Sequence, residues 1–253
     1  VSKSQVSRIC AELDQAVAAF RERRLDHLHF PYVFLDATCV KAHEGTHVVS
    51  KAVVVATGVG ADGHREVLGL AVGDSEDKAF WTAFLRDLRA RGLSGVRLVI
   101  SDAHEGLKAA IEKVLLGTSW QRCRVHFLRN VLAKVPKGSA EMVAAAVRTI
   151  FAQPDALAVA EQLDSIASKL GRQFPAVEEM LRQAAPDLCA FAAFPQAHWK
   201  KIWSTNPLER VNKEIPVLRW VHRSRVAAPY GRRPDRGLTR KRSRRPKLGL
   251  SFV

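Results

Sequence analysis

The stretch Val96-Arg97-Leu98-Val99-Ile100-Ser101-Asp102 decides the fold. Leu98, Val99 and Ile100 are consecutive and apolar, and the run reads as a short buried strand over 96–101. An amphipathic helix is predicted before it, over 76–91, with Phe80, Trp81, Phe84, Leu85 and Leu88 on one face and Gly92 as its stop. A second helix is predicted after it, over 105–116. A short strand held between two helices by short links is an α/β unit.

Three strands are predicted upstream, over 31–41, 46–58 and 65–72, with turn signals at Gly60-Ala61-Asp62-Gly63 and Gly73-Asp74. Their short links make an antiparallel meander. Downstream, a fifth short strand over 119–123 runs into a helix over 125–134. The order βββαβαβα is the layout of an RNase H-like α/β fold, a mixed sheet with flanking helices. From 138 to 198 the pattern is helical, broken by Pro154, Gly171, Pro175, Pro186 and Pro195. It reads as an α-helical insertion between the last strand and a final helix. At the start, Val6, Ile9, Cys10, Leu13, Val17 and Phe20 recur at helical spacing over 4–24, with Ser4 as a candidate cap. That helix is a plain connector or the end of a helix-turn-helix. The expected division is a connecting helix over 1–27, a core over 28–137, an insertion over 138–200, a last helix over 201–215 and a tail over 216–253.

Of the formal charge of +15, the residues from Pro216 onward carry twelve Lys and Arg against Asp235, a net of +11. The preceding 215 residues therefore hold +4. The body reads as mildly basic and the Arg/Pro-rich tail as a disordered polycation, suited to phosphate polymers by counterion release. Cys10, Cys39, Cys123 and Cys189 are scattered, the pattern of reduced thiols rather than a disulfide framework. No apolar run approaches the roughly 20 residues of a membrane span. The opening Val1-Ser2-Lys3-Ser4 has no initiator Met and no secretory-signal pattern. A cytoplasmic protein is expected.

Three acids are candidates for phosphoryl-transfer chemistry. Asp36 and Asp102 each end an apolar run, so each is expected at the C-terminal end of a buried strand, where open α/β sheets gather their sites. Glu209 follows Ser204-Thr205-Asn206-Pro207-Leu208, a helix start with Pro at its first position. Glu214 is the alternative on another face of that helix. Three such carboxylates can hold two Mg²⁺ about 4 Å apart. Each acid also has an ordinary reading: a surface Asp at a strand end for Asp36, a helix N-cap for Asp102, and a solvated helical Glu for Glu209. Cys123 and His126 form a C-x-x-H pair, half of a zinc motif whose other half is missing. His104 is placed either to contact phosphate or to stand solvated at a helix start. Trp199 and Trp203 flank Lys200 and Lys201, a pattern that suits base stacking or plain burial. No G-x-x-x-x-G-K-[ST] and no G-x-S-x-G occurs. The glycines at 58–63 are followed by strand residues rather than a helix, which removes the dinucleotide reading.

Five runs, in order, resemble the Mutator-type transposases of bacterial insertion sequences, the IS256 family. They are Tyr32-Val33-Phe34-Leu35-Asp36-Ala37, Gly63-His64-Arg65-Glu66-Val67-Leu68-Gly69, Ser101-Asp102-Ala103-His104-Glu105-Gly106-Leu107, Cys123-Arg124-Val125-His126-Phe127, and the stretch from His198 to Ile215. The resemblance implies a DDE transposase with an RNase H-like core and a helical insertion. It implies Asp36, Asp102 and Glu209 as catalytic and metal residues for two Mg²⁺, with Mn²⁺ able to substitute. Cys123 and His126 fall on the family's C-x-x-H signature, Trp199 or Trp203 on its insertion tryptophan, and His104 beside them in support. Lys200, Lys201, Arg210 and Lys213 are the expected DNA contacts. The implied partners are transposon ends, target DNA and further copies of the chain at the nucleoid, with no membrane. Two departures stand out: most of the family's N-terminal DNA-binding region is expected to be absent, and after Ile215 the sequence switches to a basic tail, either a frame shift or a basic arm. The alternatives are a catalytically inactive DNA-binding remnant and a junction- or hybrid-cleaving nuclease sharing the core.

Overall fold

The structure is a computed structural model and describes residues 2–44, 47–74 and 77–205. The chain opens with helix α1 (Lys3–Glu22). Ser2 caps it rather than Ser4: the Ser2 hydroxyl accepts from the Gln5 N–H, and the Gln5 side chain accepts from the Ser2 N–H. The apolar stripe of α1 does not enter the core, because Val6, Ile9, Leu13 and Val17 are all exposed.

Strands β1 (Tyr32–Glu44), β2 (His47–Val59) and β3 (Arg65–Gly73) form the expected meander. Helix α2 (Lys78–Ala90) follows, capped by Asp77, whose carboxylate accepts from the Phe80 N–H at 2.8 Å. Gly92 ends the turn after it at φ 106°, where a Cβ would also press on the Asp26 backbone at 3.0 Å. Then come β4 (Leu98–Ser101), α3 (Glu105–Val114), β5 (Ser119–Arg122) and α4 (Arg124–Leu132). The sheet order is β3-β2-β1-β4-β5, with β1 antiparallel to β2 and parallel to β4, and β4 parallel to β5. This is the RNase H-like α/β arrangement the element order predicts.

Strand alternation sends side chains to two cores. Val33, Leu35 and Val99 join Trp81, Phe84, Leu85, Leu88, Leu107 and Ile111 under α2 and α3. Tyr32, Phe34, Leu98 and Ile100 join the other core. That second core is built by α4 together with α5 (Ala140–Ile150), α6 (Ala156–Gly171), α7 (Pro175–Leu188) and α8 (Gln196–Ile202). The helical segment therefore packs directly on the sheet and shares its core. The predicted last helix over 201–215 and the tail over 216–253 lie outside the described residues, apart from Lys201 and Ile202 in α8 and the turn that ends at Thr205.

Candidate active site

Asp36 does not end its strand. β1 runs on through Thr38, Cys39 and Val40 to Glu44, because β2 continues to pair with it and Asp36 itself sits opposite Val55. What ends near Asp36 is the parallel pairing with β4, whose last register positions are Phe34 and Ile100. Asp36 lies two residues beyond Phe34, and Asp102 two residues beyond Ile100. The two aspartates thus follow the end of the β1–β4 pairing at the same offset on neighbouring chain segments. By strand parity Asp36 follows Tyr32 and Phe34 onto the face covered by α4–α8. Asp102 makes its contact on that same face, with His126 of α4.

Asp102 is not the cap of α3. His104 is: its Nδ1 accepts from the Leu107 N–H at 3.2 Å. The capping reading of Asp102 falls, and His104 is explained by its local bond. Asp102 Oδ1 and His126 Nδ1 meet as an ion pair. Pairing with Asp102, and secondarily with Cys123, pushes the His126 imidazole up to about 10.

Cys123 lies between β5 and α4, at the N-cap position of α4, and it is fully buried. Burial drives its thiol up, but contacts with His126 and Thr205 outweigh that and hold it below its ordinary value. The Thr205 N–H and hydroxyl both approach Cys123 Sγ at 3.4 Å. One ligand atom from each of Asp102, Cys123 and His126 lies within 4.8 Å of the others. The α4 start is further fixed by Arg124. Its N–H donates to the Trp203 carbonyl at 3.0 Å, and its guanidinium lies 3.8 Å from the centre of the Trp203 ring.

Trp199 and Trp203 are 5% and 9% exposed, and Trp199 Nε1 donates to the Phe194 carbonyl. Neither ring is a free stacking platform; both build the core. Lys200 and Lys201 are exposed in the last turn of α8. Glu209, Glu214, Arg210 and Lys213 lie outside the described residues. Sequence reasoning missed Thr205, which holds the Cys123 sulfur from 82 positions away. No local signal marks that contact. It also missed Gln121, fully buried in β5, whose amide donates to the Leu188 carbonyl and accepts from the Phe191 N–H. A lone Gln in a four-residue strand was the one available hint.

The residues present suit a hard divalent cation at the strand ends. Two carboxylates follow the end of the pairing between the neighbouring strands β1 and β4, and carboxylate oxygens are the ligands such cations take. A family model described as "Transposase, Mutator family" matches residues 1–226. The chain belongs to this family. Among its Mutator-family relatives, the transposase for insertion sequence element IS1081 of Mycobacterium tuberculosis is 49% identical over 85% of this chain and 52% of its own length. The IS406 transposase of Burkholderia multivorans is 40% identical over 91% of the chain and 58% of its own length. The IS256 transposase in Tn4001 of Staphylococcus aureus is 35% identical over 85% and 55%. The chain thus spans about half the length of the curated relatives it matches. Among solved structures, the HTLV-2 integrase catalytic core in complex with magnesium overlays on 48% of this chain at 15% identity with a TM-score of 0.24, too slight a likeness to argue from.

Proposed function

We propose that this Mutator-family chain carries the catalytic centre of a DDE transposase that catalyses metal-dependent DNA cleavage and strand transfer of an insertion sequence. The observation that carries the reading is that Asp36 and Asp102 each lie two residues beyond the last paired positions, Phe34 and Ile100, of the adjacent parallel strands β1 and β4. His104, not Asp102, caps α3, and the Asp102 carboxylate meets His126 instead. Asp36, Asp102 and Glu209 would hold two Mg²⁺, or Mn²⁺ in their place. When bound, the ions supply charge neutralisation at the phosphate and activation of the attacking hydroxyl.

The chain's own residues position that chemistry. The β1–β4 pairing fixes both aspartate backbones, and the α4 start, pinned by Arg124 on Trp203, holds His126 against Asp102. DNA would lie over the same face. Arg124, Arg129 and Arg148 rim a groove of about 560 Å³ along α4 and α5, and Lys200 and Lys201 are exposed on α8. Such guanidinium and ammonium groups contact phosphates and give salt-dependent, sequence-independent affinity. Arg210, Lys213 and the basic tail would add to it. The partners would be double-stranded transposon ends, target DNA and further copies of this chain, acting at the bacterial nucleoid. Among the described residues no helix is long and apolar enough to cross a membrane.

The test is Mg²⁺-dependent nicking of DNA bearing the element's ends, with binding followed by gel shift. Asp36→Asn and Asp102→Asn should each cut nicking by more than the roughly 10–100-fold lost when only an outer partner of a metal ligand is removed, with DNA binding kept. Undiminished nicking in both variants would refute the assignment. A parent chain that shifts DNA but never nicks it would leave the inactive-remnant reading in its place.

A further inference from the structure

The sequence offers Cys123 and His126 as half of a zinc motif, and the fold brings up a third ligand. We propose that Asp102, Cys123 and His126 form a binding site for a borderline-soft divalent cation of the Zn²⁺ class. It shares Asp102 with the hard-cation centre but does not depend on that centre being active.

The donor set is one carboxylate oxygen, one sulfur and one imidazole nitrogen, mutually within 4.8 Å. Zinc bonds of roughly 2.0–2.3 Å place tetrahedral ligands about 3.3–3.8 Å apart, so the three close on an ion with small side-chain movements. Cys123 and His126 come from the first turn of α4 and the residue before it, a rigid mount. Asp102 comes from the end of β4. Three protein ligands leave the fourth position to water or substrate.

Two further observations point to a cation. Asp102 Oδ1 and His126 Nδ1 meet as an ion pair, so two potential ligand atoms already converge at one point beside the Cys123 sulfur. The Cys123 sulfur, itself fully buried, receives the Thr205 N–H and hydroxyl. Metal-bound ligands commonly carry such outer hydrogen bonds, which orient them and tune the metal. Hardness decides which cation fits. Mg²⁺ takes oxygen ligands and dehydrates reluctantly, whereas thiolate and imidazole select Zn²⁺ and its neighbours. The same aspartate therefore looks toward a hard partner on the β1 side and a soft one on the α4 side.

The test uses the full chain, stripped with chelator and titrated with Co²⁺, with Zn²⁺ as competitor. To silence exposed thiols, the background carries Cys10→Ser and Cys39→Ser. One Co²⁺ per chain should give a thiolate-to-metal charge-transfer band and tetrahedral d–d bands, both displaced by equimolar Zn²⁺. Cys123→Ser should abolish the charge-transfer band, and Cys189→Ser should leave it intact. Asp102→Asn, at a half-exposed position that tolerates the change, should weaken Co²⁺ binding by at least about tenfold. The proposal is overturned if the background chain shows no charge-transfer band or if the band survives Cys123→Ser. Unchanged affinity in Asp102→Asn would remove Asp102 from the site and overturn it as well. The readout is optical, so its failure leaves the two-aspartate reading standing, and a chain that never nicks DNA leaves the Co²⁺ result standing.

Discussion

The two faces of the sheet are closed in different ways. Under α2 and α3 Val33, Leu35 and Val99 meet Trp81, Phe84, Leu85, Leu88, Leu107 and Ile111, and the buried polar ties are local: Arg91 donates to the Leu68 carbonyl and Trp120 Nε1 to the Ser101 hydroxyl. Under α4–α8 the apolar core is just as continuous, but it is crossed by buried or half-buried polar ties. Gln121 bonds the chain at Leu188 and Phe191, Tyr32 Oη meets His198 Nδ1 at 2.7 Å, Thr205 holds Cys123, and Arg124 lies on Trp203. Apolar burial is strong but tolerant of position, whereas a buried hydrogen bond is weak in net terms and demanding in geometry. The first face needs only stability. The second must hold a long helical segment in one register over the aspartates, and its ties do that.

The difference can be broken first on the apolar side. Trp81 is 1% exposed at the centre of the α2 face. Trp81→Ala should lower the unfolding free energy by about 3–5 kcal/mol, read by urea denaturation. The geometry around Asp102 should survive in whatever fraction remains folded. A loss under about 1 kcal/mol would mean that this face is not packed as described.

The polar side should respond less in stability and more in order. Gln121→Ala strands the Phe191 N–H and the Leu188 carbonyl, at a cost of about 1–3 kcal/mol. Amide exchange should quicken selectively around 188–194 while the α2 and α3 amides stay protected. Uniform acceleration across both faces would erase the contrast.

The smallest effect is expected from pH. His126 has its folded value raised from 6.5 to about 10, through Asp102 first. A raised folded value means the pairing contributes in full below pH about 6.5 and is lost as pH climbs through about 10. Asp102 is 45% exposed, so solvent screening trims the contribution. In chelator, the urea midpoint of the parent chain should fall over that window relative to His126→Gln. Parallel profiles would show that the ion pair contributes nothing.

Much of this was legible in order and type. Periodicity located the strands and the helices to within a few residues, since apolar spacing of two or near 3.6 is set by local backbone geometry. It failed where partners decide. The stripe on α1 is exposed, because nothing in a helix's own spacing supplies a neighbour. Asp36 was expected at a strand end, but β2 pairs on past it to Glu44. The N-cap alternative for Asp102 is excluded, because His104 sits closer to the helix and caps it.

The amino-acid sequence by itself determined the succession of elements and that Asp102 and Cys123 each follow a short strand. Those depend on neighbours within a turn or two along the chain. Only the tertiary structure decided that Asp36 and Asp102 share one face, that Asp102 reaches His126 and Cys123, and that Thr205 arrives from across the helical segment. These meetings are set by strand register and by the packing of α4–α8 on the sheet, and such long-range contacts leave no periodic trace in the chain.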